Sequence, residues 1–149
     1  IDGLTCIVGM IEELKNFALI QKKPFLGICV GMQLLATDSE ENGKHRGLNW
    51  ISGHIKKLPI KNLKMPHMGW NEVIPKKTLE KNFFIEENNY YFVHSYYFEC
   101  EDINNILAHT NYGIDFASIV SKENIYGVQF HPEKSSNQGL NLIKSFIQI

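Results

Sequence analysis

Three side chains in this sequence could share one reaction: the thiol of Cys29, the imidazole of His131 and the carboxylate of Glu133. Cys29 stands inside Pro24-Phe25-Leu26-Gly27-Ile28-Cys29-Val30-Gly31-Met32-Gln33-Leu34-Leu35, which reads as a short apolar strand, a tight turn and an apolar helix. A strand-to-helix turn of this kind exposes its central side chain as a nucleophile, here sulfur in place of oxygen. The helix N-terminus that follows favours thiolate over thiol. Gly27 and Gly31 are expected to flank it because strand and helix nearly touch there. Taken alone, the segment serves a packed thiol as well as a reactive one, since free cysteine is often buried.

A nucleophile needs a base, and the base needs an orienter. Of the six histidines, His45 falls in a polar stretch, and His54 and His109 fall in alternating runs where surface positions are the default. His131 differs. It follows the apolar run Ile125–Phe130 directly and precedes Pro132 and Glu133. Proline fixes the chain at the end of a strand, so the imidazole is presented at the rim where α/β sheets place their sites. Glu133 can turn back to accept the second ring N–H and fix the tautomer. By itself His-Pro-Glu reads as a strand-end turn; joined to the upstream cysteine turn it reads as a triad in the order Cys, His, Glu.

Composition narrows the classes. With 149 residues, 44% hydrophobic and 21% charged, the sequence suits one globular domain, residues 1–149, with a substantial core. A net charge of -1 steers it toward neither nucleic acid nor an anionic membrane. Arg46 is the only arginine, which disfavours a multi-phosphate clamp. No apolar run approaches membrane-spanning length. Cys6, Cys29 and Cys100 are odd in number and widely spaced, which fits a reducing cytoplasm and, with the histidines, matches no zinc pattern. No metal and no cofactor are expected.

The elements that must position these groups read as α/β. A helix is expected over Ile7–Ile20, a buried strand over Phe25–Ile28 and a helix over Met32–Ala36, followed by a polar loop over Asp38–Arg46. β-rich runs follow at Gly53–Leu58, Asn71–Ile74, Tyr90–Phe98 and Ile106–His109. Phe116–Val120 and Ile125–Phe130 form a predicted hairpin around Lys122-Glu123-Asn124, and Leu140–Ile147 a closing amphipathic helix. The result is a parallel strand–helix half followed by an antiparallel-rich half. Pro66-His67-Met68-Gly69-Trp70-Asn71 reads as a turn suited either to a protein–protein contact or to a core tryptophan.

Gly27 to Gln33 together with Gly127-Val128-Gln129-Phe130-His131-Pro132-Glu133 resembles the class I (triad) glutamine amidotransferases. Met65 to Asn71 and Tyr91-Phe92-Val93-His94-Ser95-Tyr96-Tyr97 are similar to the glutaminase-subunit family of imidazole glycerol phosphate synthases, over essentially the whole chain. The resemblance implies a three-layer, flavodoxin-like fold with a central, mostly parallel sheet and antiparallel strands in its second half. It implies hydrolysis of glutamine through a thioester on Cys29, with His131 as base and Glu133 as orienter. The Val30 N–H would be an oxyanion donor, and Gly31, Gln33, Ser95 and Tyr96 would hold the substrate. Ammonia would pass to a (β/α)₈-barrel cyclase subunit that makes imidazole glycerol phosphate and AICAR in histidine biosynthesis, docked on Pro66, His67, Met68, Gly69, Trp70 and Asn71.

The resemblance also implies an earlier strand–helix–strand unit ending in a Pro-Gly-x-Gly loop, the source of a second oxyanion donor. Ile1 to Met10 do not match it, and the chain starts without methionine, so truncation at the N-terminus is expected. Three other readings stay open: a related amidotransferase feeding another synthase such as one for surface-sugar amidination, a non-catalytic binding module, and a cysteine peptidase.

Overall fold

The structure, a computed structural model, describes residues 2–76, 85 and 87–149. A short helix α1 (Asp2–Thr5) and α2 (Met10–Lys15), which continues as a π-helical turn over Asn16–Ile20, precede β1 (Phe25–Ile28) and α3 (Val30–Leu34). The helix expected from Ile7 starts three residues later, because Gly9 takes a left-handed conformation at its N-cap and leaves Ile7 and Val8 exposed. β2 (Asp38–Ser39), β3 (His45–Arg46), β4 (Gly53–Lys57), β5 (His67–Pro75), β6 (Asn88–His94) and β7 (Tyr96–Cys100) follow. The chain then forms β8 (Ile106–Asn111), β9 (Asp115–Lys122), β10 (Ile125–Val128) and α4 (Ser136–Ile147).

The sheet is mixed. β1 runs parallel to β10, and β2 parallel to β4, while the other registered pairs among the described residues are antiparallel. The long path runs β3-β2-β4-β7-β9-β8-β5-β6, with β10 branching from β9 to reach β1. The hairpin expected around Lys122-Glu123-Asn124 forms as β9 and β10. Its Asn124 side chain donates to the Ala18 and Lys23 carbonyls at 2.8 and 2.7 Å, fixing the approach to β1.

Three local expectations change. Asp38–Arg46 is not wholly loop: its ends pair with each other, and β2 also pairs with β4, which satisfies backbone groups that a loop would leave to water. The strand foreseen over Tyr90–Phe98 breaks at Ser95 into β6 and β7, which join different neighbours. Pro66–Asn71 is not a turn but mostly strand, since β5 begins at His67 and pairs with β6 from His67 through Val73.

Two buried clusters flank this frame. One lies under α3 and contains Met32, Leu35, Ile51, Ile55, Phe98 and Val120. The other holds Tyr90, Phe92, Phe116, Ile119, Val128 and Phe130, closed by Leu142 of α4. α3 can settle on the β1/β10 pair because two glycines face each other there in register, Gly27 and Gly127. A Cβ on Gly27 would come within 2.5 Å of the Gly31 carbonyl oxygen, and one on Gly127 within 2.8 Å of Met32 Cγ. Gly31 itself has open space where a Cβ would go, so the close approach constrains Gly27 and not Gly31. Gly27→Ala should therefore destabilise the fold by about 2–4 kcal/mol, visible as a lower urea midpoint at unchanged m-value, whereas Gly31→Ala should cost well under half of that.

Candidate active site

Cys29 sits at the N-cap of α3 with φ 51° and ψ -108°, a left-handed elbow rare for a residue with a side chain. The conformation is held by the Cys29 N–H donating to the Val128 carbonyl at 2.8 Å and by the Gln33 N–H donating to the Cys29 carbonyl at 3.2 Å. Because β1 and β10 are parallel and in register through Ile28 and Val128, Cys29 and His131 both emerge from the carboxyl ends of adjacent strands. Those ends meet one edge of β6. The Cys29 Sγ lies 3.9 Å from the Val93 carbonyl, and the His131 N–H donates to the Tyr91 carbonyl at 2.8 Å. Alternate carbonyls of a strand point to the same side, so β6 gathers both residues.

His131 Nδ1 lies 2.7 Å from Glu133 Oε1, a contact permitted by the single 3₁₀ turn Pro132–Lys134. With Nδ1–H donated to the carboxylate, Nε2 carries the lone pair and is free to accept a proton. Ser135, fully buried, ties the turn down: its hydroxyl donates to the His131 carbonyl at 2.6 Å and accepts from the Tyr91 N–H at 2.9 Å.

The thiol is not the pre-formed thiolate that the helix N-terminus suggested. Burial pushes Cys29 above the ordinary thiol range; the Val30 N–H and the Gln129 amide act against this, while Glu133 and Glu41 add to it. α3 has only five residues and offers a weak dipole against that desolvation. The resting sulfur is a thiol, which makes a neighbouring base necessary.

Gln33 is one turn along α3, and its amide donates to the Tyr96 carbonyl at 3.1 Å and to Gln129 Oε1 at 3.2 Å. Gln129 in turn offers Nε2 to Cys29 Sγ at 3.9 Å. Ser95, at the break between β6 and β7, accepts from the Leu58 N–H at 3.0 Å through its carbonyl. Beside Val30 and Gln33 opens a cleft of about 310 Å³ that also meets Glu41 and Arg46. It presents one carboxylate and one guanidinium, a complement to a zwitterion, and Val30 in its wall directly follows Cys29 in the chain. Sequence reasoning gave no role to Glu41, which sits in a polar stretch without periodicity, or to Gln129, a polar residue just past an apolar strand inside the segment that carries the family resemblance. Among the described residues no three of His, Cys, Asp and Glu converge as a metal set would.

The six residues expected at a partner surface divide. Met68 and Trp70 are 61% and 53% exposed, and Pro66 is exposed beside them. Gly69 and Asn71 are half-buried. His67 is only 2% exposed, so it faces the core and cannot serve as a contact. The reason is strand alternation: Met68 and Trp70 point outward, and Trp70 meets Tyr91 edge-on across the ladder at 6.1 Å. His67 points inward opposite His94.

Both inward rings are held neutral. Burial lowers His67 and His94 from 6.5 to about 4, aided by each imidazole's histidine neighbour, His94 for His67 and His131 for His94; the Tyr96 carbonyl raises His94 in part. Groups depressed on folding contribute stability that is complete above pH 6.5 and is lost as pH falls toward 4. Denaturant midpoints should thus drop between pH 7 and pH 5, and a variant with His67→Leu and His94→Leu should show a flatter dependence over that interval.

A model of the family "Glutamine amidotransferase class-I" matches residues 5–149. The chain is 48% identical over 148 residues to the imidazole glycerol phosphate synthase subunit HisH of Leptospira borgpetersenii, covering 95% of this chain and 71% of that one. It is 49% identical over 152 aligned residues to the subunit HisH 2 of Methanococcus maripaludis, covering 99% and 74%. Among solved structures, a glutamine amidotransferase superposes with TM-score 0.69 at 15% identity, over 94% of this chain and 67% of that one, a likeness of fold. A glutamine amidotransferase from Thermotoga maritima superposes with TM-score 0.59 at 19% identity, over 95% and 54%.

Proposed function

The chain belongs to the class-I glutamine amidotransferase family, and from that membership we propose that it is the glutaminase subunit of an imidazole glycerol phosphate synthase in histidine biosynthesis. The observation that carries the chemistry is that β6 gathers the Cys29 elbow and a His131 whose Nδ1 is held 2.7 Å from Glu133. Glutamine lies in the cleft with its α-ammonium toward Glu41 and its α-carboxylate toward Arg46. His131 Nε2 takes the thiol proton as Sγ attacks the side-chain amide carbon, so a C–S bond forms while charge gathers on the amide oxygen. The Val30 N–H stabilises that charge, a contribution of about 3–4 kcal/mol for one well-placed donor. Collapse breaks the C–N bond, and His131 returns its proton to the departing ammonia. Water, activated by the same Nε2, then hydrolyses the thioester to glutamate. Gly31, Gln33, Ser95 and Tyr96 shape the backbone and amide groups around the substrate.

Ammonia goes to a cyclase subunit with a (β/α)₈-barrel fold in this reading, which forms imidazole glycerol phosphate and AICAR. Residues 1–149 act as one glutaminase domain, and the cytoplasm is the proposed compartment, where a catalytic thiol stays reduced. The names of the relatives, each one part of a synthase, support a partner, and the surface formed by Pro66, Met68 and Trp70 is the part of the expected contact that the fold leaves accessible. Trp70→Ala should weaken the complex at least about tenfold in Kd, as truncation of an aromatic anchor does, measured by titrating the cyclase subunit onto the native chain. The function itself is tested by coupling glutamate release to imidazole glycerol phosphate formation in the complex. Equal molar rates support it; glutamine turnover with no ammonia transfer to that product would reject the pathway while leaving the glutaminase chemistry.

A further inference from the structure

His67 and His94 face each other across β5 and β6, 27 residues apart in sequence, with His67 Nδ1 2.8 Å from His94 Nε2. The order of donors along this contact follows from its ends. The Tyr96 carbonyl can only accept, so His94 Nδ1, 2.8 Å away, carries a hydrogen and donates. A neutral His94 then has its lone pair on Nε2, which makes His67 Nδ1 the donor between the rings. That leaves the lone pair of His67 on Nε2, where the Asn71 side-chain amide donates at 3.1 Å. The orientation of Asn71 is fixed independently: its Nδ2 also donates to the Asn111 carbonyl at 2.9 Å and its Oδ1 accepts from the Glu72 N–H at 2.8 Å. Every hydrogen in the series runs one way, from Asn71 through His67 and His94 to Tyr96.

The series does not stop there. The Tyr96 carbonyl also accepts from Gln33, whose second amide hydrogen goes to Gln129, and Gln129 offers Nε2 to the Cys29 sulfur. Aromatic rings enclose the imidazoles and keep water from substituting for either. His67 stacks between Tyr112 and Phe92 at centroid distances of 4.0 and 4.8 Å, and Phe116 closes on His94 at 5.1 Å. A buried histidine pair could fill this space as packing alone, but packing does not require one tautomer of each ring or a shared carbonyl acceptor.

We propose that His67 and His94 are positioning residues, a one-way hydrogen-bond relay that fixes the Tyr96 carbonyl and, through Gln33 and Gln129, the amide groups around Cys29. Neither ring touches the substrate. Their action is to give the Tyr96–Tyr97 peptide a single orientation just after the chain breaks between β6 and β7, and to anchor that orientation in β5, the strand that carries Trp70. The role rests on the glutaminase reading above.

The test uses the full-length native chain in its synthase complex, with 15N confined to the histidine rings. Both imidazoles should give neutral Nδ1–H signatures. His67→Asn keeps a donor at the Nδ1 position and should hold the KM for glutamine within about threefold, whereas His67→Leu should raise it about tenfold with kcat changed far less, as the loss of one buried hydrogen bond implies. Nε2–H tautomers in either ring would overturn the proposal, as would a His67→Leu variant with the wild-type KM or an Asn variant no better than Leu. Absence of glutamine turnover in the wild-type complex would instead overturn the glutaminase reading and the relay's catalytic role with it, a result separable from all of these because it appears before any substitution is made.

Discussion

Alanine in place of Cys29 should reduce glutamate release by the complex at least about 10⁴-fold, as removal of a covalent nucleophile does elsewhere. Circular dichroism and affinity for the cyclase subunit should be unchanged. The elbow holds a non-glycine residue at φ 51° at a strand end, and alanine tolerates that backbone as poorly as cysteine does, so the fold gains nothing by the exchange while the sulfur is lost. The synthase should then run only on added ammonium, which bypasses the thioester. Cys6 and Cys100 lie outside this cluster, and Cys100 Sγ is already engaged by the Asp102 carbonyl at 3.2 Å, so neither can substitute. Residual glutamine turnover within tenfold of wild type would put the nucleophile elsewhere.

The second large effect concerns proton transfer. Since burial keeps Cys29 a thiol, attack depends on removal of its proton by His131. His131→Ala should cost a similar factor, on the order of 10⁴ or more in kcat. Glu133→Gln preserves shape but offers Nδ1 a weaker, uncharged acceptor that can also present an N–H, so the ring's tautomer is no longer dictated; a loss on the order of 10²–10⁴ is expected. The sign of the pH effect follows from the direction of the thiol shift. In His131→Ala, alkylation of Cys29 by iodoacetamide should climb steadily through and beyond the ordinary thiol range, with no plateau near neutrality. Rates are to be read from loss of free thiol by mass spectrometry. A plateau below pH 7 in that variant would mean that the sulfur is ionised without its base.

The elbow and the His-Pro-Glu turn were legible in the sequence because their signals are local. A glycine before an apolar run, a cysteine and a helix can be read within a dozen residues, and Pro132 marks the strand end without knowledge of any neighbour. The clash that a Cβ would cause at Gly27 gives that reading its physical basis, and the open space at Gly31 shows where it reached too far. What could not be read depends on pairing. His67 looked like a surface residue of a turn because the alternation of β5 is interrupted by Gly69 and because its buried partner lies 27 residues away. Only the register of β5 against β6 turns it inward. Glu41 reaches the cleft from the turn between β2 and β3, and Arg46 from β3, a two-residue strand too short to leave a pattern, while Gln129 gains its role from a bond to Gln33 across 96 residues. The thiol's raised pKa likewise depends on burial that no motif encodes.

The central claim is that Cys29 carries the acyl group of glutamine. The most direct measurement is reaction of the complex with an electrophilic glutamine analogue, followed by intact-mass analysis and peptide mapping. One adduct per chain, on the peptide containing Cys29, prevented by excess glutamine and absent in Cys29→Ala, is the predicted result. An inactivated enzyme whose adduct maps to Cys6, Cys100 or a non-cysteine residue would contradict the account.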